Sequence, residues 1–579
     1  VPILNKHYIC NNKYVVMKIS GQIVDVRTRR IFAGEVVVEN GKISAINELD
    51  TAPEQFIMPG FIDAHVHIES SMLAPSRFAE LAVKQGTVAT VSDPHEIANV
   101  LGVEGVKFMI ENGKTVPFHF FFGAPSCVPA TPFETAGFSI NSTETAELMS
   151  NPDIWYLGEM MNFPGVVFDD SEVHAKIKAA LDAGKPVDGH APLLSGDHLK
   201  KYAAAGISTD HECTNIEEAE EKIKLGMKIL IREGSAARDF DMLFPLIDKY
   251  PSDVMLCTDD CHPDELMRGH INVKVKMAIE RGVDLFNVLQ AACINPIEHY
   301  KLPVGTLKAG DNADFIVVGN WREMDVLQVY IKGEKVFDNG SVLIESKPFI
   351  SINNFARTDV MPSDFAVEAK GNNIKVIVAK DGELLTESEV VSAKIENGCI
   401  VPDVENDILK MTVVNRYNNS KPAVAFIKGI GIKKGALACS IAHDSHNLIA
   451  VGTCDEAIAL ALNKIIESKG GLAAVDSVSS EHLALPLAGL MSDRKGEEVA
   501  ALYHALNQKA SEMGSPLRAP FMTLAFMALL VIPKLKLSDK GLFDGTTFAF
   551  TPLCEVYTSH SETNTSHSET NTSHSDEGL

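Results

Sequence analysis

Between residues 62 and 304, short apolar runs that read as strands alternate eight times with helical stretches. The runs end in DAHVHIES, TVATVSDPHE, FHFFFGAPSC, IWYLGEMM, PVDGHAP, ISTDHE, KILIREGS and VMLCTDD. Repeated βα units call for a parallel sheet covered by helices, and eight of them in about 240 residues match a closed (β/α)8 barrel. In that fold the reactive groups gather at the C-terminal ends of several strands. Polar residues follow almost every apolar run here at that end.

The flanks of this unit share a different texture. GQIVDVRTRRIFAGEVVVENGKISAI, and later ADFIVVGN and VLQVYIKGEKVFDNG, are short β-rich runs broken by Gly and Asn-Gly, a hairpin signal. One small β-domain built from both flanks, residues 1–61 and 305–350, is therefore expected around the barrel. From 351 to 557 the pattern becomes mixed, with HDSHNLIAVG, the helical DEAIALALNKIIES and a Gly-Gly turn at Gly470, which reads as a C-terminal α/β domain. Residues 558–579 repeat a seven-residue polar unit with no apolar residue before Leu579 and read as a disordered tail. Residues 1–16 carry Lys6 and Lys13 but no continuous apolar segment, so a leader outside the fold is expected rather than a secretory signal.

At 579 residues the chain exceeds one core, and its 45% hydrophobic and 22% charged residues are those of an ordinary globular protein. The net charge of −25 repels phosphate backbones and anionic lipid surfaces, which excludes nucleic acid and membrane as natural partners and favours a small molecule or a metal cation. The ten cysteines form no C-x-x-C pair and read as reduced. FMTLAFMALLVIP, residues 521–533, is shorter than the ~20 residues that span a bilayer and reads as a buried element. A cytoplasmic enzyme is expected, working as a homo-oligomer.

Metal-competent side chains fall at strand ends: His65 and His67 after the first strand, Glu159 after the fourth, His190 after the fifth, His211 after the sixth and Asp259 after the eighth. His65 and His67 are two apart and so share a face of the strand. Alone, each residue is explained by hydrogen bonding in a core; six together at one barrel mouth make a two-metal site with nitrogen and oxygen ligands. Asp260 is the alternative ligand to Asp259. In SDPHE, Asp93, His95 and Glu96 could bind substrate, orient the ligands, take up another metal ion or simply cap a helix. Glu212 could carry protons, although it has the opposite parity to His211 unless the strand has already ended. HDSHN holds His443, Asp444, Ser445 and His446, but consecutive residues do not make a Ser-His-Asp triad. A polar turn, facing the barrel mouth, is the expected form. The zinc cytidine-deaminase signature, H-x-E with a later P-C-x-x-C, is absent.

With these residues in place the chain resembles the amidohydrolase superfamily, whose barrels carry H-x-H on the first strand, a bridging residue on the fourth, histidines on the fifth and sixth and an aspartate on the eighth. PGFIDAHVHIESSML, SDPHEIANVLG, LGEMMNFPGV, DGHAP, TDHE, LCTDD, HDSHN and PLAGLMSD are more closely similar to the bacterial adenine deaminase family, over about residues 17 to 556. The resemblance implies that His65 and His67 hold one cation and His190 and His211 the other. Glu159 would bridge them where many relatives use a carboxylated lysine, and Asp259 would bind metal and act as general base. It implies hydrolysis of adenine to hypoxanthine and ammonia, with two divalent cations per chain, iron(II) or manganese before zinc. Met160, Met161 and Phe163 are candidates for an apolar wall against the base, with a packed loop the equal alternative. The competing readings are another amidohydrolase, such as an N-acetylglucosamine-6-phosphate deacetylase, and a non-catalytic scaffold of the same fold.

Overall fold

The computed structural model describes residues 16–235 and 237–554; the leader, apart from Val16, and the repeat tail lie outside the described residues. At its centre are the eight parallel strands expected from the repeated units. They are β1 (Phe61–His67), β2 (Thr87–Ser92), β3 (His119–Ala124), β4 (Ile154–Met160), β5 (Val187–Gly189), β6 (Thr209–Asp210), β7 (Lys228–Arg232) and β8 (Val254–Cys257, resumed at Asp259–Asp260). Neighbours pair in chain order. A parallel bridge between Val187 and Ile207 joins β5 to β6. The ring closes where Asp259 and Asp260 pair with Val66 and His67. The (β/α)8 reading is therefore met.

Closure is secured by a buried carboxylate. Asp63, fully buried on β1, accepts the backbone N–H of Thr258 on Oδ1 at 3.0 Å and the Thr258 hydroxyl on Oδ2, and Oδ2 also lies 2.8 Å from His270 Nε2. His270 in turn meets the Thr87 hydroxyl on β2 at 2.7 Å. One side chain thus ties the first strand to the last directly beneath His65, which sets the ends of β1 and β8 side by side.

An eight-stranded sheet draws on both flanks of the barrel. Phe56–Pro59 lies between Val16–Asp25, with which it runs parallel, and Phe315–Val318, with which it runs antiparallel. Two of its hairpins turn on Asn-Gly. Asn40-Gly41 and Asn339-Gly340 both have positive φ, the conformation that two-residue hairpin turns require.

Residues from about 373 to 484 form a second eight-stranded sheet. Its strand Ala436–Ala442 shows why it sits where it does. Ala436 and Ala438 pack with Ile458, Leu462 and Ile465 of the helix Asp455–Glu467, whereas Leu437 and Cys439 face the core shared with the barrel. Strand alternation gives the sheet two apolar faces, one covered by its own helix and the other by the helices Gly496–Glu512 and Pro520–Phe526, the first of which packs on the barrel helix Pro263–Arg268. The Ser492 N–H donates to the Met72 carbonyl at 2.8 Å across that junction. The apolar run at 521–533 begins as the buried helix Pro520–Phe526, and no helix among the described residues is long and apolar enough to cross a membrane.

Candidate active site

β1 delivers His65 and His67 to the barrel mouth, both buried, with their Nε2 atoms 3.2 Å apart. His67 Nδ1 lies 3.0 Å from the Asp93 carbonyl. A carbonyl only accepts, so Nδ1 carries the proton and Nε2 turns a lone pair into the cluster. Glu159, from β4, stands at the centre. Its Oε1 is 3.3 Å from His67 Nε2, and its Oε2 is 2.6 Å from His190 Nδ1 and 3.1 Å from His211 Nε2. Asp259 Oδ1 lies 3.1 Å from His67 Nε2 and 3.5 Å from His65 Nε2.

All six residues singled out from strand ends therefore meet. Two imidazoles and an aspartate lie at one side of Glu159 and two imidazoles at the other, so each carboxylate oxygen faces a separate set of donors. The donor chemistry fits a divalent cation pair. It is all nitrogen and oxygen, and the buried His211 Nε2, although 3.1 Å from Glu159 Oε2, is out of line for a hydrogen bond and has no other partner.

The two aspartates offered by strand eight are placed differently. Asp259 has φ +61°, a left-handed backbone that aspartate tolerates better than most residues. The two neighbours point apart. Asp259 faces the histidines, while Asp260 accepts from the Ser70 hydroxyl at 2.5 Å.

SDPHE divides its three residues among different tasks. Asp93 Oδ2 accepts the Glu159 N–H at 2.9 Å. Gly158 is required beside it, since a Cβ there would stand 2.2 Å from that oxygen. His95, on the first turn of the helix His95–Leu101, places Nδ1 3.5 Å from Glu159 Oε1. Glu96 turns away from the barrel centre to His443 and His446 of the C-terminal domain, at 3.3 and 3.5 Å.

β6 ends at Asp210, so parity no longer separates His211 from Glu212. Glu212 Oε1 is 3.7 Å from His211 Nε2 and 3.8 Å from His190 Nδ1. Asp210 shapes both loops, accepting the N–H groups of Ala191 and Glu212 at 3.0 and 2.7 Å.

Arg232, at the end of β7, escaped the sequence reading. Its guanidinium pairs with Glu212, lies 3.0 Å from Asp259 Oδ2, and donates Nε–H to Asp239 at 3.0 Å. The available signal was its position, the polar residue closing KILIR in a series where other strands end in histidines and carboxylates.

Charge in this closed space is strongly coupled. Burial works to raise the Glu159 and Asp259 carboxyls, but the histidines around both, and Arg232 beside Asp259, hold them well below the usual carboxylate range. Glu212 is also held low against burial, first by Arg232 and then by His190. Asp260 moves the other way, up to about 6, through burial and the neighbouring Asp259 charge.

The cluster forms the floor of a cavity of about 550 Å³, its open mouth included. Opposite stand Met161, Leu384, Phe526, Leu529, Val531 and Ile532. Of the expected apolar wall only Met161 takes part in this lining, while Met160 is packed in the core and Phe163 against it. The rest of the roof comes from the C-terminal domain. The run read as a plain buried element thus supplies four of the roof side chains, and His443 and Asp444 of HDSHN also border the cavity.

The amidohydrolase family profile matches residues 56–336 and that of the adenine deaminase C-terminal domain residues 383–549. An adenine deaminase of Methanosarcina mazei is 53% identical over 549 residues, covering 93% of this chain and 99% of the relative. One from Salinibacter ruber is 53% identical over 534 residues, covering 92% and 98%. With the barrel, its histidine and carboxylate cluster and the C-terminal roof all within the matched length, the chain belongs to the adenine deaminase family of amidohydrolases.

Proposed function

We infer that this chain hydrolyses adenine to hypoxanthine and ammonia at the mouth of its barrel. The observation that carries the reading is Glu159, whose two oxygens each face their own imidazoles beneath an apolar roof. His65, His67 and Asp259 would hold one divalent cation, His190 and His211 the other, with Glu159 shared. When bound, such a pair lowers the pKa of water so that hydroxide is available near neutral pH. The donor set admits iron(II), manganese and zinc, and the family resemblance puts iron(II) or manganese first.

Asp259 accepts the proton of the attacking water as its oxygen bonds to C6 of adenine. The C6–N6 bond then breaks, and the proton leaves with the amine as ammonia. Glu212, kept ionised by Arg232, receives and passes protons beside His190. Arg232 is a positioning residue, since it holds one Asp259 oxygen while the other faces the histidines. The roof supports a flat uncharged base, in keeping with an apolar pocket that has a few convergent polar groups. The barrel with its two-flank sheet serves as the catalytic unit, and the C-terminal domain closes the pocket. A cytoplasmic location and a homo-oligomeric assembly belong to the same proposal.

The test is ammonia release from adenine, adenosine, cytosine and N-acetylglucosamine 6-phosphate, with acetate followed for the last, after reconstitution with iron(II), manganese or zinc. Turnover of adenine well above the others supports the reading. Acetate release without ammonia would replace it by a deacetylase, and silence on every substrate with metal bound would leave a scaffold.

A further inference from the structure

We propose that Glu96, His443 and His446 form a third divalent-cation site, separate from the barrel pair and shared between the barrel and the C-terminal domain. The three residues are buried and their ligand atoms all lie within 4.8 Å of one another. Glu96 Oε1 is 3.3 Å from His443 Nδ1, and Oε2 is 3.5 Å from His446 Nε2. Around a tetrahedral ion with bonds near 2.1 Å, neighbouring ligand atoms are separated by about 3.4 Å. The observed spacings are those of a coordination shell and are long for hydrogen bonds.

The second observation is His446 itself. It is fully buried, and neither of its ring nitrogens has a hydrogen-bond partner. An imidazole left so in a closed interior loses its hydration without compensation, a cost that a bound cation removes. Asp444 Oδ2, buried in the same loop, also lacks a partner and can complete the shell.

The ligands are held in place before any ion arrives. The His443 ring stacks on Phe526 with centroids 4.4 Å apart and planes 7° from parallel, which fixes the direction of Nδ1. Tyr417 donates its hydroxyl to the Ser445 carbonyl at 2.6 Å, and Asn447 Nδ2 reaches the Ser445 hydroxyl at 3.1 Å. Two imidazoles and one carboxylate suit zinc, manganese, iron(II) or cobalt(II). An ion here would tie the helix His95–Leu101 to the HDSHN loop at the cavity wall.

The full chain, stripped with a chelator and dialysed against manganese(II) alone, provides the test, with metal counted per chain by mass spectrometry. Wild type should hold about three ions, His446→Gln about two, and the barrel double variant Glu159→Gln/His190→Asn about one. Cobalt(II) in the double variant should give a visible absorption band that the added His446→Gln change abolishes. If His446→Gln fails to fold, as judged by circular dichroism, the double variant alone decides. An unchanged metal count in folded His446→Gln, or no ion in the folded double variant, overturns the site. Unchanged metal with a raised KM for adenine also overturns it, assigning these residues to a hydrogen-bonded substrate contact. If the barrel pair is the mistaken part, the double variant loses nothing while His446→Gln still loses one ion.

Discussion

The floor and the roof of the cavity are built by opposite rules. The floor is six titratable side chains delivered by five strands of one barrel, each within two residues of a strand end. The roof is mostly aliphatic and aromatic, and apart from Met161 it comes from segments more than 120 residues beyond the last floor residue, Asp259. Floor residues are recognisable by type, because an acid or imidazole at a strand end has few structural uses. A leucine or phenylalanine in the roof looks like any core residue. Chemistry should therefore depend on the floor, and affinity for the base on the roof.

The largest effect is expected for Glu159→Gln. A neutral amide cannot bridge two cations, so bound metal and turnover should fall together, by more than the ~100-fold upper range of an outer-shell change. Retention of both barrel ions with near-normal turnover would remove Glu159 from the centre of the floor.

Asp259→Asn keeps an oxygen in place but removes the base. Turnover should drop by about 10²- to 10⁴-fold, with much less loss of metal. Asp260→Asn should cost far less, since that carboxyl faces Ser70. Paired kinetics and metal analysis would reverse this assignment if the order of the two variants were inverted.

Phe526→Ala tests the roof. Removing one apolar wall should raise KM for adenine by roughly tenfold, about 1.4 kcal/mol of lost contact, with kcat changed much less. A loss confined to kcat would merge roof and floor into one machine and break the comparison.

The smallest effect on activity is expected for what holds the roof, where the change falls on stability. Lys536, buried in the C-terminal domain, donates Nζ–H to the carbonyls of Leu384 and Phe526 at 2.8 and 3.0 Å. Burial pushes its pKa down to about 7. The unfolded chain, with an ordinary lysine near 10.4, binds more protons than the folded one between about pH 7 and 10, so this group makes stability rise with pH there. The rise is at most about 1.4 kcal/mol per pH unit for one proton. Denaturant midpoints of Lys536→Met should lack that rise, and the variant should fall progressively behind wild type from pH 7 to 10. Parallel curves would mean that Lys536 stays charged in its pocket.

Legibility followed the range of the interaction. His65 and His67 were readable as a pair because strand parity is a local property of backbone geometry. The Asn-Gly hairpins were readable because few residues adopt the positive φ that they need. For Glu212 the same parity rule gave only a conditional reading, and β6 stops at Asp210, so the rule lapses before it reaches that residue. Arg232 was passed over because it acts as a clamp on Glu212 and Asp259, and no periodicity records which acids will meet it.

The sequence by itself determined the repeated βα order, the strand ends that carry histidines and carboxylates and the family to which the chain belongs. Tertiary structure alone decided that Asp259 and not Asp260 faces the histidines, that Glu96 looks toward His443 and His446, and that residues 526–532 roof the cavity. Periodicity within one strand or helix says which face is apolar, whereas the choice of which apolar face covers which site is made by many weak contacts summed across the sheet of the C-terminal domain and the barrel.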